Sequence, residues 1–344
     1  QTHARPCRFG DLLIMAIKEM KLLITGTNGF VGKSLCPELC NQGHAVLTAM
    51  RSLDKQVVDV DVDVDKVLIT SISKETDWCS ALQNVEVVIH LAARVHVMNE
   101  VAVDALAEFR KVNVDSTLNL AIQAAKAGVK RFIFVSSVKV NGEHTLAGYP
   151  FLENNVANPQ DSYGISKHEA EQGLLAIARE TEMEVVIIRP PLVYGPGVKA
   201  NFASMMKWMN KNIPLPFGAI HNKRSLVALD NLVSFIIHCA DYKKTPQAAN
   251  QVFLISDGED ISTTELLQKV AKAFGKKALL LPIPVSLMTL SAKLLGKGDV
   301  ANRLFGSLQV DCSKARELLG WEPVITMDEQ LNKTADAYLA KKKD

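Results

Sequence analysis

No apolar run in this chain of 344 residues is long enough to cross a bilayer, and the most apolar stretch, around residues 278–281, is cut by Pro282 and Pro284. No membrane partner is expected on that ground. Aromatic residues are few, and neither charge sign dominates, with 39 basic against 37 acidic residues. The polyelectrolyte surface that nucleic acid requires is therefore missing, and no nucleic-acid partner is expected. The six cysteines form no C-x-x-C pair and no His/Cys cluster at ligand spacing. This argues against a bound metal and for free thiols in a reducing, cytoplasmic compartment. Cys36 and Cys40, one helical turn apart, read as small apolar packing groups. Internal repeats and low-complexity tracts are absent too. What remains is an ordinary composition, long enough for one large α/β domain or two joined lobes.

The strongest signal lies at residues 21–32, Lys-Leu-Leu-Ile-Thr-Gly26-Thr-Asn28-Gly29-Phe30-Val31-Gly32. A short apolar run, the signature of a buried parallel strand, meets three glycines, and residues 33–41 then read as a helix. Strand, tight loop and helix N-terminus in that order make a phosphate cradle. The first glycine permits the turn, the second a close backbone approach to a pyrophosphate, and the third close packing of helix on strand. The spacing is G-x-x-G-x-x-G rather than the general G-x-G-x-x-G.

Strand and helix signals then alternate, which predicts an α/β fold with a doubly wound, Rossmann-type parallel sheet. Strands are expected at 45–50, 66–70, 85–91, 131–136 and 185–189, and a late one at 252–255. Long helices are expected at 108–128 and from Asp161 or Ser162 to about 182. Residues 192–217 lose the rhythm and are expected to leave the sheet, with Met205, Met206, Trp208 and Met209 read as core. Ser262 followed by Glu265 reads as a capping box. The expected organisation is an N-terminal extension over 1–19 and a dinucleotide-binding domain over 20–190, with returning segments near 224–256. A smaller, partly interleaved substrate lobe takes 191–223 and 257–330, and a C-terminal helix and tail take 331–344. The apolar part of the extension is too short and badly flanked for a signal peptide.

Tyr163-Gly-Ile-Ser-Lys167 puts a phenol and an ammonium on one helix face. A nearby cation favours the phenolate, which would let Tyr163 exchange a proton with a substrate oxygen. Taken alone, such a pair more often sits on an exposed face. Ser136 and Ser137 strengthen the catalytic reading, because they close a predicted central strand, where open α/β sheets bind their ligands.

These motifs together resemble the extended short-chain dehydrogenase/reductase family, especially its nucleotide-sugar branch. Further matches are His90-Leu91-Ala92-Ala93, Asn113, Arg189-Pro-Pro-Leu-Val-Tyr-Gly-Pro196, and Arg224 ahead of Asp230-Asn231-Leu232. The resemblance runs from about residue 20 to 321. It implies an enzyme in which Tyr163 is the general acid/base, Lys167 holds the nicotinamide ribose and lowers the tyrosine pKa, and Ser137 holds the substrate oxygen. Gly26, Asn28, Gly29, Phe30, Val31, Gly32, Ser71, Ile72, Leu91, Ala92, Ala93 and Asn113 would line the cofactor. Arg224 and Asn201 would hold the substrate nucleotide, Arg224 as a bidentate phosphate donor. Arg51 stands where relatives that use NAD carry an acid, so NADP(H) is favoured over NAD(H). Ser71 replaces a usual aspartate, and Leu192 an asparagine. The reaction expected first is reduction of a UDP-linked 4-keto-6-deoxy-N-acetylhexosamine for surface-polysaccharide synthesis. The alternatives are a UDP-hexose 4-epimerase and, from another class, a non-catalytic NAD(P)-binding sensor. A homodimer is expected by analogy.

Overall fold

The computed structural model describes residues 19–50, 64–69, 71–95, 104–146, 148–294, 296 and 298–341. Its centre is a sheet of seven parallel strands: β1 (Lys21–Thr25), β2 (Ala45–Met50), β3 (Asp65–Leu68), β4 (Val87–His90), β5 (Arg131–Val135), β6 (Glu184–Arg189) and β9 (Gln251–Leu254). The spatial order is β3-β2-β1-β4-β5-β6-β9. This is the doubly wound order, with the chain reversing direction across the sheet between β1 and β4. Sequence and structure agree on every one of these strands, with ends shifted by one or two residues.

The alternation along β1 builds the core on both faces. Leu22 and Ile24 pack on one side, against α1 (Gly32–Asn41) and α6 (Leu229–Ala240). Leu23 packs on the other, with Val88, Phe132 and Phe134, against α3 (Ser116–Lys126) and α4 (Ser162–Glu180). Side chains alternate along a strand, so a run buried on both faces must be apolar throughout.

Two expectations change in detail. The helix expected at 108–128 is α2 (Ala105–Arg110), a π-helical turn (Lys111–Asp115) and then α3. The wider turn presents Asn113 inward, at 1% exposure. The segment near 224–256 divides: α6 and β9 serve the large sheet, whereas β8 (Arg224–Ala228) lies in a small sheet of order β10-β8-β7. Its other strands are β7 (Leu192–Tyr194) and β10 (Asp260–Ile261). Around it lie α5 (Ala200–Asn210), α7 (Thr263–Ala273), α8 (Val285–Leu294), α9 (Gly298–Phe305) and α11 (Met327–Ala340), whereas α10 (Ser313–Leu319) packs beside β9 on the core of the large sheet. Met205, Met206 and Met209 are core here, as expected. The Ser262/Glu265 capping box opens α7, and a second, Thr326/Glu329, opens α11.

Candidate active site

The three glycines differ in what requires them. Gly26 has φ +75°, and a Cβ there would stand 2.6 Å from the Ala92 nitrogen in the loop after β4. A Cβ on Gly32 would stand 2.5 Å from the Gly26 carbonyl oxygen. Both are fixed by the chain's own backbone. Gly29 is exposed and donates its N–H to the Gly26 carbonyl at 2.9 Å, so its own N–H is spent within the loop. The N–H groups of Phe30 and Val31, just ahead of α1, have no acceptor among the described residues. An anion at a helix N-terminus would use such donors. Asn28 is exposed beside them, and Phe30 and Val31 pack their side chains on the core.

Behind the cradle sits a buried polar relay. Thr25 Oγ1 lies 2.7 Å from His90 Nδ1, and His90 Nε2 lies 3.0 Å from Thr117 Oγ1. Burial, with a smaller push from the Lys167 charge, drops the His90 pKa to about 3 and keeps the ring neutral. The Ala92 N–H donates to Thr25 Oγ1 at 3.3 Å, which ties the loop holding Leu91, Ala92 and Ala93 to β1. Asn113 accepts from the Arg94 N–H at 2.8 Å and donates to the Arg94 carbonyl and Ser166 Oγ, each at 3.0 Å. It therefore braces that loop against α4 from the interior.

Tyr163 lies in the first turn of α4, which Asp161 caps by accepting from the Gly164 N–H at 2.7 Å. Its ring meets Phe109 edge-on at 6.3 Å. Lys167, one turn on, is 1% exposed. Its Nζ donates to the Val135 carbonyl at 2.8 Å, at the end of β5, and stands 4.3 Å from the Phe134 ring centre and 5.9 Å from that of Tyr163. Ser137 follows β5 and caps a short turn (Val138–Val140) by accepting from the Lys139 N–H at 3.3 Å. Lys139 in turn pairs with Asp161. A Cβ on Gly164 would stand 2.9 Å from the Lys139 carbonyl oxygen. The glycine after the tyrosine is thus a notch that seats the Ser137 turn on the Tyr163 helix. Ser136 is buried at the same strand end, its hydroxyl without a hydrogen-bond partner among the described residues.

The electrostatics depart from expectation in one respect. Lys167 does not lower the phenol here: burial first, and the Asp161 charge second, raise the Tyr163 pKa to about 12. Burial also lowers Lys167 to about 7, against a smaller upward pull from Glu171. Both shifts favour the neutral form of the group.

Other expected residues lie further out. Ser71 is exposed in a turn, and Ile72 packs on the core beside it. Arg224 opens β8, half-buried, and its Nη1 donates to the Gly306 carbonyl at 3.0 Å. Asn201 sits exposed in the first turn of α5, after Ala200 at φ +54°. Arg51, which carried the preference for NADP(H), lies outside the described residues, as does most of the 1–19 extension. Sequence reasoning missed Glu171, which holds Arg189 through Nε at 3.0 Å and Nη2 at 2.5 Å while Arg189 reaches Asn141 at 3.1 Å. A glutamate one turn beyond Lys167 on the same helix face was the available signal. It also missed Asp257, which accepts from Tyr194 Oη at 2.7 Å, the Ala228 N–H at 2.8 Å and Asn231 Nδ2 at 2.7 Å. Asn231 also accepts from Val324 and Ile325 N–H groups, so this network locks the C-terminal segment to the small sheet.

A parallel sheet of this order, with a glycine cradle after β1 and a Tyr/Lys pair closing on the end of β5, defines an extended short-chain dehydrogenase/reductase. Residues 22–255 match the NAD dependent epimerase/dehydratase family, and the chain belongs to that family of enzymes. It is 49% identical over 92% of its length to a UDP-glucose 4-epimerase of Vibrio cholerae, covering 95% of that protein. It is 27% identical over 92% of its length to a 3-beta-hydroxysteroid dehydrogenase of Mycolicibacterium neoaurum, covering 91% of it. Among solved structures, the UDP-glucose 4-epimerase of Thermotoga maritima with UDP-glucose superposes at TM-score 0.72 and 26% identity, over 94% of this chain and 100% of the other. Among the described residues no helix is long and apolar enough to cross a membrane, and no cluster could hold a metal ion.

Proposed function

We propose that this chain is a nucleotide-sugar 4-epimerase acting on a UDP-hexose with NAD(H). The observation that carries the reading is the 49% identity, over nearly the full length of both chains, to a protein named for that reaction. It reverses the order of the sequence reading, which put a 4-keto reductase first. The cradle suits a dinucleotide: two of its glycines meet backbone where a side chain would stand, and the Phe30 and Val31 N–H groups await an anion. When bound, the nicotinamide supplies hydride exchange with C4 of the sugar.

The chain's own residues handle the proton and the position. Tyr163, ionised, takes the proton from the C4 hydroxyl and returns it to the same oxygen, so its phenol must first give up its own proton against the pull of burial and Asp161. Ser137 holds that oxygen while its charge changes. Lys167, fixed by the Val135 carbonyl, keeps a proton within reach of the phenol. Inversion at C4 requires hydride to leave one face and return to the other. The hexose must therefore turn while Arg224 and Asn201 retain the nucleotide.

The 4-keto reductase remains the second reading because of Arg51, which accommodates a 2′-phosphate where NAD-specific relatives carry an acid. Denaturing the purified protein and identifying the cofactor it releases separates the two. Retained NAD supports the epimerase; an empty protein that binds and consumes NADPH with UDP-4-keto sugars supports the reductase. A homodimer through α3 and α4 accompanies either reading, and sedimentation velocity tests it.

A further inference from the structure

We infer that the outer face of α8 seats this protein on an anionic phospholipid surface. Helix α8 is apolar on both sides. Met288 turns inward at 9% exposure, whereas Leu287, Leu290 and Leu294, at helical spacing, stand outward at 58%, 57% and 80%. The preceding segment adds Leu279 and Leu281 at 45% and 54%. Isolated surface leucines need no explanation, but three at helical spacing on one helix, with two more in the segment that leads into it, are apolar surface that none of the described residues covers.

Charge identifies the occupant. From Leu266 to Gly298 the sequence holds six lysines and no acidic residue. Lys269 and Lys272 are paired with Asp328, but Lys277 and Lys293 have no acidic partner among the described residues. A leucine face edged by unpaired lysines is the composition of a helix that lies in a membrane interface, its apolar side in the acyl boundary and its cations among anionic headgroups. A second copy of the chain fits worse, since a two-fold contact through this face would bring its lysines against their own copies. The earlier expectation of no membrane partner rested on the lack of a spanning run, which does not bear on a helix lying in the surface plane. The face adjoins the substrate lobe: the Gly218 N–H donates to the Leu281 carbonyl at 2.9 Å, and Phe217 meets Phe305 of α9 at 6.5 Å. Docking would hold that lobe at the bilayer.

The test is co-sedimentation of the full chain with vesicles of phosphatidylcholine alone or mixed with phosphatidylglycerol. Binding to the mixed vesicles only, weakened by salt, is expected. Replacing Lys277 and Lys293 by alanine should weaken it roughly twenty-five-fold, at about fivefold per charge. The triple variant Leu287→Gln, Leu290→Gln, Leu294→Gln should abolish it, with the melting temperature unchanged. No binding to anionic vesicles at low salt would overturn the inference, as would undiminished binding of the triple variant. So would conversion of a larger oligomer to a smaller one by that variant, since the face would then join copies of the chain.

Discussion

Tyr163 and Lys167 stand one helical turn apart, and burial raises the pKa of the first and lowers that of the second, favouring the neutral form of each. Replacing Tyr163 by Phe removes the proton carrier and should lower turnover by about 10²–10⁴-fold, while equilibrium cofactor binding, followed by fluorescence, stays within a few fold. Unchanged turnover would remove Tyr163 from the chemistry. For Lys167 the folded pKa of about 7 lies below the free value of 10.5, so the unfolded chain binds more protons between them and stability rises with pH across that window. Below pH 7 the folded chain bears the whole cost of burying the ammonium. Lys167→Met should therefore stabilise the cofactor-free protein most below pH 7, with the gain fading towards pH 10, in thermal melts across that range. His90 behaves in the same sense at lower pH: its folded pKa of about 3 lies below 6.5, so stability is lost as pH falls through that interval. Tyr163 and Lys167 stood out in the sequence because their spacing is local, and Ser137 because it closes a predicted strand. The inversion of the phenol's shift was not, since it depends on burial and on Asp161, which only the fold supplies.

At the scale of elements, the glycines decide how closely segments approach. Gly164→Ala would put a Cβ 2.9 Å from the Lys139 carbonyl and wedge α4 away from the Ser137 turn. A displacement of about 1 Å at reacting groups costs on the order of 10²-fold, so kcat should fall by that order while the melting temperature changes little. Unaltered kcat would contradict the notch. The inner strands of the large sheet were legible because they are apolar runs buried on both faces, whereas the edge strand β3, Asp-Lys-Val-Leu and mostly exposed, shows no such run. The π-helical turn at Lys111–Asp115 was not legible, because the residues that its inward Asn113 meets, the Arg94 backbone and Ser166, lie 19 and 53 positions away. Nor was the placement of β8 in the small sheet, since strand pairing is chosen by distant partners rather than by the strand's own pattern.

Across the whole molecule, the two sheets are joined by polar networks as well as by apolar cores. Asn231 links Asp257, at the end of the large sheet, to residues 324–325 before α11. Asn231→Ala would remove one of the three donors to the Asp257 carboxylate and leave the Val324 and Ile325 N–H groups without the acceptor they share. It should destabilise the protein by about 1–3 kcal/mol per unsatisfied group, seen as a lower melting temperature or denaturant midpoint. In the sequence this asparagine was legible only as part of a family match, because its partners lie 26 and more positions away.

The central claim is that one set of groups around Tyr163 both removes and restores the proton at C4. Incubating the purified protein with UDP-glucose and no added reductant tests it most directly. The account predicts UDP-galactose approaching equilibrium with no net reduction or oxidation of nicotinamide, and no product from the Tyr163→Phe protein. Absence of UDP-galactose, together with stoichiometric NADPH consumption on a UDP-4-keto sugar, would contradict it.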